Sequence, residues 1–577
     1  MLLEAPRFFS STFIRAIPTT LGNLRIAHMA RKILPSLLSS PTMKPEAHLV
    51  VMAIPAWGHV RPLCAFVARV VQLHPAYVTF LIAGDNVSRV RNELAQYFLS
   101  PEQEGLSRYI RVIGLGSLVP LANPVPHLFY MGSIAQTYEH MYGEMLQSRS
   151  VTCAWTGDVH QAFPSPTVVI VDICSAYAVQ STRTISGRTV PVLAWVATPA
   201  SSLIRLFGDE SRGGIGDLGA KIYERAAETG QRAEDVSGDV YRDCEGAVVR
   251  VPGLPEHYDH EWHPQEPRSA SRIPWVIHKG YASLQDCDGA ISISSEAYEP
   301  VSTKAVHEWF QEEGKEFFAP GPLTVPIPGL SSPNPCASIS GSNAETDSKV
   351  QNLLDLAFEK YGKQTLFYIA FGSVFWPKDS NHVWELIYTL LDLEIPFIFS
   401  HASFGSSGIP KDVVTRVTES GIGLMLPWTP QQLILSHPAT GWFLSHCGAN
   451  SIMESLYQGI PLICWPQEGD QPANALYLST ALDVSFELLQ VRTGLGRRKV
   501  YRDGTIPTGT LESIRAEFRD VLSRAKGPSG ERKRENALKV SQALIGAWSD
   551  AGVSRETMAR FISRFVVGVT DKGRIEQ

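Results

Sequence analysis

"GWFLSHCGANSIMESLYQGIPLICWP", residues 441–466, is the stretch on which the fold turns. An apolar run (441–445) stops at a polar cluster, HCGANS (446–451), and a second apolar run, IPLICWP (460–466), follows after a helix-length segment. Short, almost wholly apolar strands of this kind fit a parallel sheet covered on both faces. The cluster admits three uses: a metal or nucleophile site, a phosphate cradle, or a turn with a helix cap. A metal needs further ligands at helical or hairpin spacing, and none is close in sequence. Cys447 carries no local nucleophile signature. Gly448 permits close backbone approach, and Asn450 and Ser451 are placed to open a helix over 451–458, offering free N–H groups and a positive dipole end to an anion. Against this, SIME (451–454) is also S-x-x-E, a capping box in which Glu454 would only bond a backbone N–H. On this stretch alone the cap and the phosphate site are equally good readings.

The same alternation runs outward in both directions. HLVVMAIPA (48–56), YVTFLIAG (77–84), IRVIGL (110–115), TVVIVDIC (167–174) and VPVLAWVAT (190–198) read as strands, and after a polar stretch (205–285) so does GAISISS (289–295). A segment rich in Pro, Ser, Gly and Asn, 326–348, has no periodicity and reads as a linker. Beyond it a second series begins: QTLFYIAFGS (364–373), IPFIFSHA (395–402), GIGLMLPW (421–428), then the two runs already quoted. The expected fold is α/β, two doubly wound Rossmann-like domains facing across a cleft, at 43–325 and 349–545, with a helical tail over 546–577. Ligands of such sheets bind beyond the carboxyl ends of strands, so the loops there are where chemistry belongs. GIGDLG (214–219) matches G-x-G-x-x-G, but no strand precedes it, so it is set aside as a dinucleotide site.

Bulk composition limits the partners. The chain has 577 residues, 44% hydrophobic and 19% charged, with a net charge of −6. Two domains are natural at that length, and nothing favours nucleic acid or an anionic membrane. Eight Cys at 64, 153, 174, 244, 287, 336, 447 and 464 form no C-x-x-C pair, which fits reduced thiols and no zinc site. No run of about 20 uncharged apolar residues exists, so no membrane span is expected. The tail MARFISRFVVGVT (558–570) reads as an amphipathic helix. Residues 1–42 carry five basic residues against Glu4 and are rich in Ser and Thr, a pattern like a mitochondrial presequence. The plainer reading is an upstream extension, since the stretch from Met43 runs straight into the first strand, and a cytoplasmic monomer is expected.

The wider context of HCGANS separates its readings. WTPQQLILSHPATGWFLSHCGANSIMESLYQGIPLICWPQEGDQ, 428–471, resembles the signature box of the UDP-sugar-dependent glycosyltransferases of small molecules, known from plants, fungi and animals. The resemblance extends more loosely from about Ala47 to Phe565. It implies two facing Rossmann-like domains (the GT-B fold), a UDP-sugar donor, an apolar small-molecule acceptor and no metal or other cofactor. It also implies residue roles. Trp428 would stack on uracil, with Gln431 beside the base, and Glu454 would accept both ribose hydroxyls. Ser373, His446, Asn450 and Ser451 would hold the diphosphate, and Asp470 and Gln471 would meet the sugar; apart from the resemblance, Gly448 gives close backbone approach to the donor and Thr198, in the facing domain, is a further candidate sugar contact. Where the plant box usually has Trp, this chain has Ala449, which leaves more room near the hexose. Gln471, commonly associated with glucose, favours UDP-glucose.

In the first domain, IPAWGHVRPL (54–63) follows the first strand; Gly58 suits a turn and Pro62 the first turn of the next helix. His59 therefore falls in a strand-to-helix loop, where it could be no more than a loop or capping residue. The family resemblance makes it the general base, a role neutral imidazole suits near pH 7. Asp172, in VIVDICS, is costly to place in such apolar surroundings and would fix the His59 tautomer. The resulting expectation is an inverting hexosyl transfer, with an epimerase, a phosphorylase or a non-catalytic sugar-nucleotide binder as alternatives. The acceptor pocket is expected from the region after Trp57, from PHLFYMG (126–132) and from 198–285, whose aromatics suggest a phenolic, sterol or lipid.

Overall fold

Apolar runs become strands wherever both of their faces can be buried. In the computed structural model, which describes residues 45–116, 132–267, 273–324, 344–402 and 408–567, they assemble two separate parallel sheets. The leader, residues 326–343 of the linker and residues 126–131 of the expected acceptor region lie outside the described residues.

The first sheet contains β1 (His48–Met52), β2 (Tyr77–Ile82), β3 (Ile110–Gly114), β4 (Val168–Asp172), β5 (Val192–Val196), β6 (Gly289–Ser292) and β7 (Glu316–Phe318). They are bonded in the order β3-β2-β1-β4-β5-β6-β7, all parallel. The second contains β8 (Leu366–Ala370), β9 (Phe397–Ser400), β10 (Gly423–Leu426), β11 (Thr440–Ser445), β12 (Leu462–Cys464) and β13 (Ser485–Glu487). Its order is β10-β9-β8-β11-β12-β13, again all parallel. Alternate residues of a strand serve opposite cores. Leu49 and Val51 of β1 join one buried cluster, and Val50 and Met52 join the other. Both sheets are doubly wound, so each has one point where the chain reverses its direction of travel across the sheet: between β1 and β4, and between β8 and β11. Crevices open at such points.

Local differences from the sequence reading have clear causes. β1 ends at Met52, and α1 (Trp57–Leu73) starts earlier than expected, so Gly58 and His59 lie in its first turn rather than in a loop. Pro62 is inside the helix. A proline there has no N–H for the carbonyl four residues back, here Gly58. That carbonyl instead accepts from the Asn450 side-chain amide, at 2.7 Å, across from the second sheet. The GIGDLG stretch is a turn into the helix Leu218–Thr229, capped by the Asp217 carboxylate on the Ala220 N–H. The polar stretch 205–285 is largely helical, through Leu218–Thr229, Ala233–Tyr241 and Ile273–Asp286. As far as Val567, where the described residues end, the tail is helical, and its apolar stripe has a definite destination. Phe561, in the helix Val553–Ile562, packs its ring 5.1 Å from Phe66 and 5.6 Å from Phe318, so the last helix returns to the first sheet. No described helix is long and apolar enough to cross a membrane.

Candidate active site

The two switch points carry the chemistry-bearing side chains. At the first, β4 ends on Asp172 and β1 feeds the helix turn that holds His59. The His59 Nδ1 lies 2.8 Å from the Asp172 Oδ2. Asp172 is fully buried, and its carboxylate also accepts the backbone N–H of Ile54 (3.3 Å) and of Cys174 (3.0 Å). Surrounded by donors, it acts as acceptor to the ring as well, which puts the imidazole proton on Nδ1 and leaves Nε2 as the basic nitrogen. Trp195 Nε1 donates to the His59 carbonyl at 3.1 Å, fixing the turn from the neighbouring strand. Burial lowers the imidazolium pKa, but attraction to Asp172 outweighs it and Asp470 adds to it, so the net displacement is upward from 6.5.

Cys174 completes a group of three donor atoms, with His59 and Asp172, lying within 4.8 Å of one another. Burial and the adjacent Asp172 push its thiol pKa well up, so it stays protonated, a poor state for a metal ligand. The Nδ1–Oδ2 hydrogen bond occupies the two other donors.

At the second switch point, Ser373 lies exposed in the turn after β8, and HCGANS follows β11. The His446 ring is packed between two glycines. A Cβ on either Gly372 or Gly448 would come within 2.6 Å of its Nε2, and Gly372 has φ +75°. Burial lowers the His446 pKa to about 4 despite a backbone interaction at Ala370, so the ring offers hydrogen bonding without charge. Cys447 sits at φ +68°, a left-handed conformation that non-glycine residues seldom hold. The Asn474 amide steadies it, donating to the Cys447 carbonyl and to the Asp470 Oδ2, both at 2.8 Å.

The helix that follows, α2 (Ala449–Tyr457), begins two residues earlier than the sequence suggested. Gly448 is its N-cap and supplies no side-chain cap; the first intrahelical bond runs from the Ile452 N–H to the Gly448 carbonyl at 3.2 Å. The N–H groups of residues 449–451 therefore lack intrahelical acceptors; that of Ala449 meets the Asp470 carboxylate, and those of Asn450 and Ser451 are left in the geometry an anion uses. The capping box at Ser451 does not form, because Ser451 lies inside the helix rather than at its N-cap, and Glu454 is engaged elsewhere. Its carboxylate accepts from Gln431 Nε2 (2.6 Å), Gln432 Nε2 (3.4 Å) and Arg61 Nη1. Gln431 is held in turn by the Tyr368 hydroxyl at 3.2 Å and reaches Ser451 Oγ at 3.5 Å. Trp428 stands half-buried just beyond β10, with the Arg89 guanidinium over its ring at 5.3 Å.

The remaining expected sugar residues converge on the same region. Asp470 is the N-cap of the short helix Gln471–Leu476, and burial pushes its pKa up to about 6, against the stabilising Asn474 bond and the attraction of His59. Gln471 is buried, its carbonyl accepting the Gln467 N–H at 2.9 Å, which leaves its amide nitrogen for a ligand. Thr198 follows β5, its carbonyl held by Ser292 Oγ at 2.7 Å. The room expected beside Ala449 is taken up here: the residue is 6% exposed and shares a buried cluster with Val60, Leu63 and Phe66 of α1.

Sequence reasoning missed Arg61, Arg89, Tyr368, Gln432 and Trp195. Arg61 and Pro62 together carried the one available signal, a cation and a helix-breaking residue inside an otherwise apolar helix.

Known proteins resemble the chain in sequence and in fold. Residues 325–489 match the family described as UDP-glucoronosyl and UDP-glucosyl transferase. Over 519 residues the chain is 29% identical to the UDP-glycosyltransferase eriJ of Hericium erinaceus, covering 88% of this chain and 96% of that one. A cinnamate β-D-glucosyltransferase of Fragaria ananassa is 29% identical over 247 residues, 42% of this chain and 41% of its own length. The fold is similar to that of a Medicago truncatula protein, UGT71G1, solved with UDP-glucose. The TM-score is 0.62 at 18% identity, over 90% of this chain and 98% of that one.

Proposed function

We propose that this chain is a UDP-sugar-dependent glycosyltransferase acting on small molecules, and that it transfers glucose from UDP-glucose to a hydroxyl of an apolar acceptor with inversion at the anomeric carbon. The observation that carries the reading is the His59–Asp172 pair at 2.8 Å, on the opposite wall from a helix N-terminus whose N-cap, Gly448, has no capping side chain. One wall supplies a base and the other holds an anionic leaving group.

The acceptor hydroxyl gives its proton to His59 Nε2 as its oxygen bonds to the anomeric carbon. The bond from that carbon to the UDP oxygen breaks in the same displacement, and UDP carries the electron pair away. Asp172 stabilises the imidazolium that forms. The N–H groups of Asn450 and Ser451 and the dipole of α2 hold the charge growing on the diphosphate, a role of the oxyanion type. In this reading Ser373, His446, Gly448, Asn450 and Ser451 cradle the phosphates, and Trp428 and Gln431 take the base. Glu454 takes the ribose, while Asp470, Gln471 and Thr198 take the hexose. No metal enters the scheme, because helix N–H groups do the neutralising. A single displacement converts an α-linked donor to a β-glycoside.

Glucose rests on Gln471 and Asp470, and the acceptor class, a phenolic, sterol or lipid, on the aromatic residues around 198–285. The test is incubation of the purified chain with UDP-glucose, with and without an acceptor panel, followed by mass spectrometry. A hexosylated acceptor is the expected product. A new sugar nucleotide formed without any acceptor would replace this reading with an epimerase.

A further inference from the structure

Glu454 is well supplied with donors before any ligand arrives. Three side chains donate to it, and one of them, Arg61, comes from α1 of the other domain. The Arg61 guanidinium bridges two buried carboxylates, Glu454 on one side and Glu93 (3.2 Å) on the other. The Glu454 side chain is only 3% exposed. Nothing the size of a ribose reaches it in this arrangement. The neighbouring contacts close the same seam. Asn450 is turned onto the Gly58 carbonyl, and Ala449 is packed in a first-domain cluster. Arg89 is stacked 3.7 Å from the Trp57 ring and 5.3 Å from the Trp428 ring, too close for a base to slip between Arg89 and Trp428.

We infer that Arg61 is a donor-affinity-determining residue: its guanidinium occupies Glu454, and UDP binds by exchanging this guanidinium for the ribose hydroxyls. The inference rests on the reading of Glu454 as the ribose acceptor. Glu93 supplies the alternative partner that lets Arg61 leave Glu454 without becoming an unpaired buried cation. Because Arg61 and His59 share the first two turns of α1, the exchange also releases the turn that carries the base.

The sign of the effect separates this from simple electrostatics. UDP is a polyanion, so removing a nearby cation should weaken its binding on charge alone, whereas removing a competitor should tighten it. Calorimetric titration of the full chain with UDP and with 2′-deoxy-UDP tests this on Arg61→Gln, Glu93→Gln and Glu454→Gln. In Arg61→Gln, Kd for UDP should fall by about 5- to 50-fold, the scale of one charge-assisted hydrogen bond no longer displaced. The gain should be smaller for 2′-deoxy-UDP. Glu93→Gln, which leaves Arg61 only Glu454 to hold, should weaken UDP binding. UDP affinity that is unchanged or weaker in Arg61→Gln overturns the inference. If that variant does not fold, unchanged or tighter UDP binding in Glu93→Gln overturns it instead. A different pattern marks failure of the ribose reading itself: Glu454→Gln binding UDP as wild type does, with no preference for UDP over the deoxynucleotide.

Discussion

Replacing Asp172 with Asn alters one atom and almost no volume, yet every partner of that side chain notices. The carboxylate accepts three N–H groups, from Ile54, Cys174 and the His59 ring. An amide offers one carbonyl and one NH2, so at least one of those donors faces another donor. If the NH2 turns to the imidazole, Nδ1 must become the acceptor and the proton moves to Nε2, the atom the acceptor hydroxyl needs free. General-base assistance is worth about 10²–10⁴ in rate, and the variant should lose kcat on that scale. A buried donor left unpaired costs about 1–3 kcal/mol, so the melting temperature should fall without abolishing the fold. UDP affinity should hold, because no donor-binding residue touches Asp172. The assay is initial-rate glycoside formation by mass spectrometry, with UDP titrated calorimetrically on the same preparation. A variant whose kcat stays within about threefold of wild type, far below the range expected for a lost base, would refute the assignment of Asp172 as the group that sets the His59 tautomer.

The pH profile follows from the same pair. The base must be neutral, and attraction to Asp172 overcomes burial to raise the His59 pKa, so kcat/KM should fall on the acid side with a midpoint above 6.5. Asp470, titrating near 6, should steepen the profile below that point. Glu454→Gln should weaken UDP by about 10- to 100-fold, as a charged acceptor of two hydroxyls is lost. Its melting temperature should also drop, since the buried contact with Arg61 goes too; loss of stability with unchanged UDP affinity would make Glu454 purely structural. Selectivity built on hydrogen bonds exceeds selectivity built on shape. With a fixed acceptor, kcat/KM should therefore favour UDP-glucose clearly over UDP-galactose and only modestly over UDP-xylose. Preference for UDP-galactose would remove Gln471 from the sugar site.

What the sequence made legible was local. Period and apolarity located the longer strands, because strands buried on both faces need no partner to be seen. The edge strands Glu316–Phe318 and Ser485–Glu487 escaped, since each three-residue run includes a Glu and so lacks the unbroken apolarity of Leu462–Cys464. The capping box at Ser451–Glu454 could not be separated from a ligand site by spacing. The helix begins two residues before Ser451, which removes the cap, and Glu454 turns to a group nearly 400 residues away. Pro62 misled for a related reason. Its position inside α1 is tolerable because Asn450, on the other domain, satisfies the carbonyl that the helix cannot. The leader, residues 326–343 of the linker and part of the expected acceptor loops fall outside the described residues, while the end of the linker, from Ala344, already belongs to the helix Ala344–Tyr361.

The most direct test of the account compares wild type and His59→Ala for glucose transfer from UDP-glucose and for UDP affinity in the same preparations. The account predicts kcat lower by about 10²–10⁴, the range for loss of a general base, with the UDP Kd nearly unchanged, because base and leaving-group site lie on opposite walls. Turnover like that of the wild type in His59→Ala would contradict it.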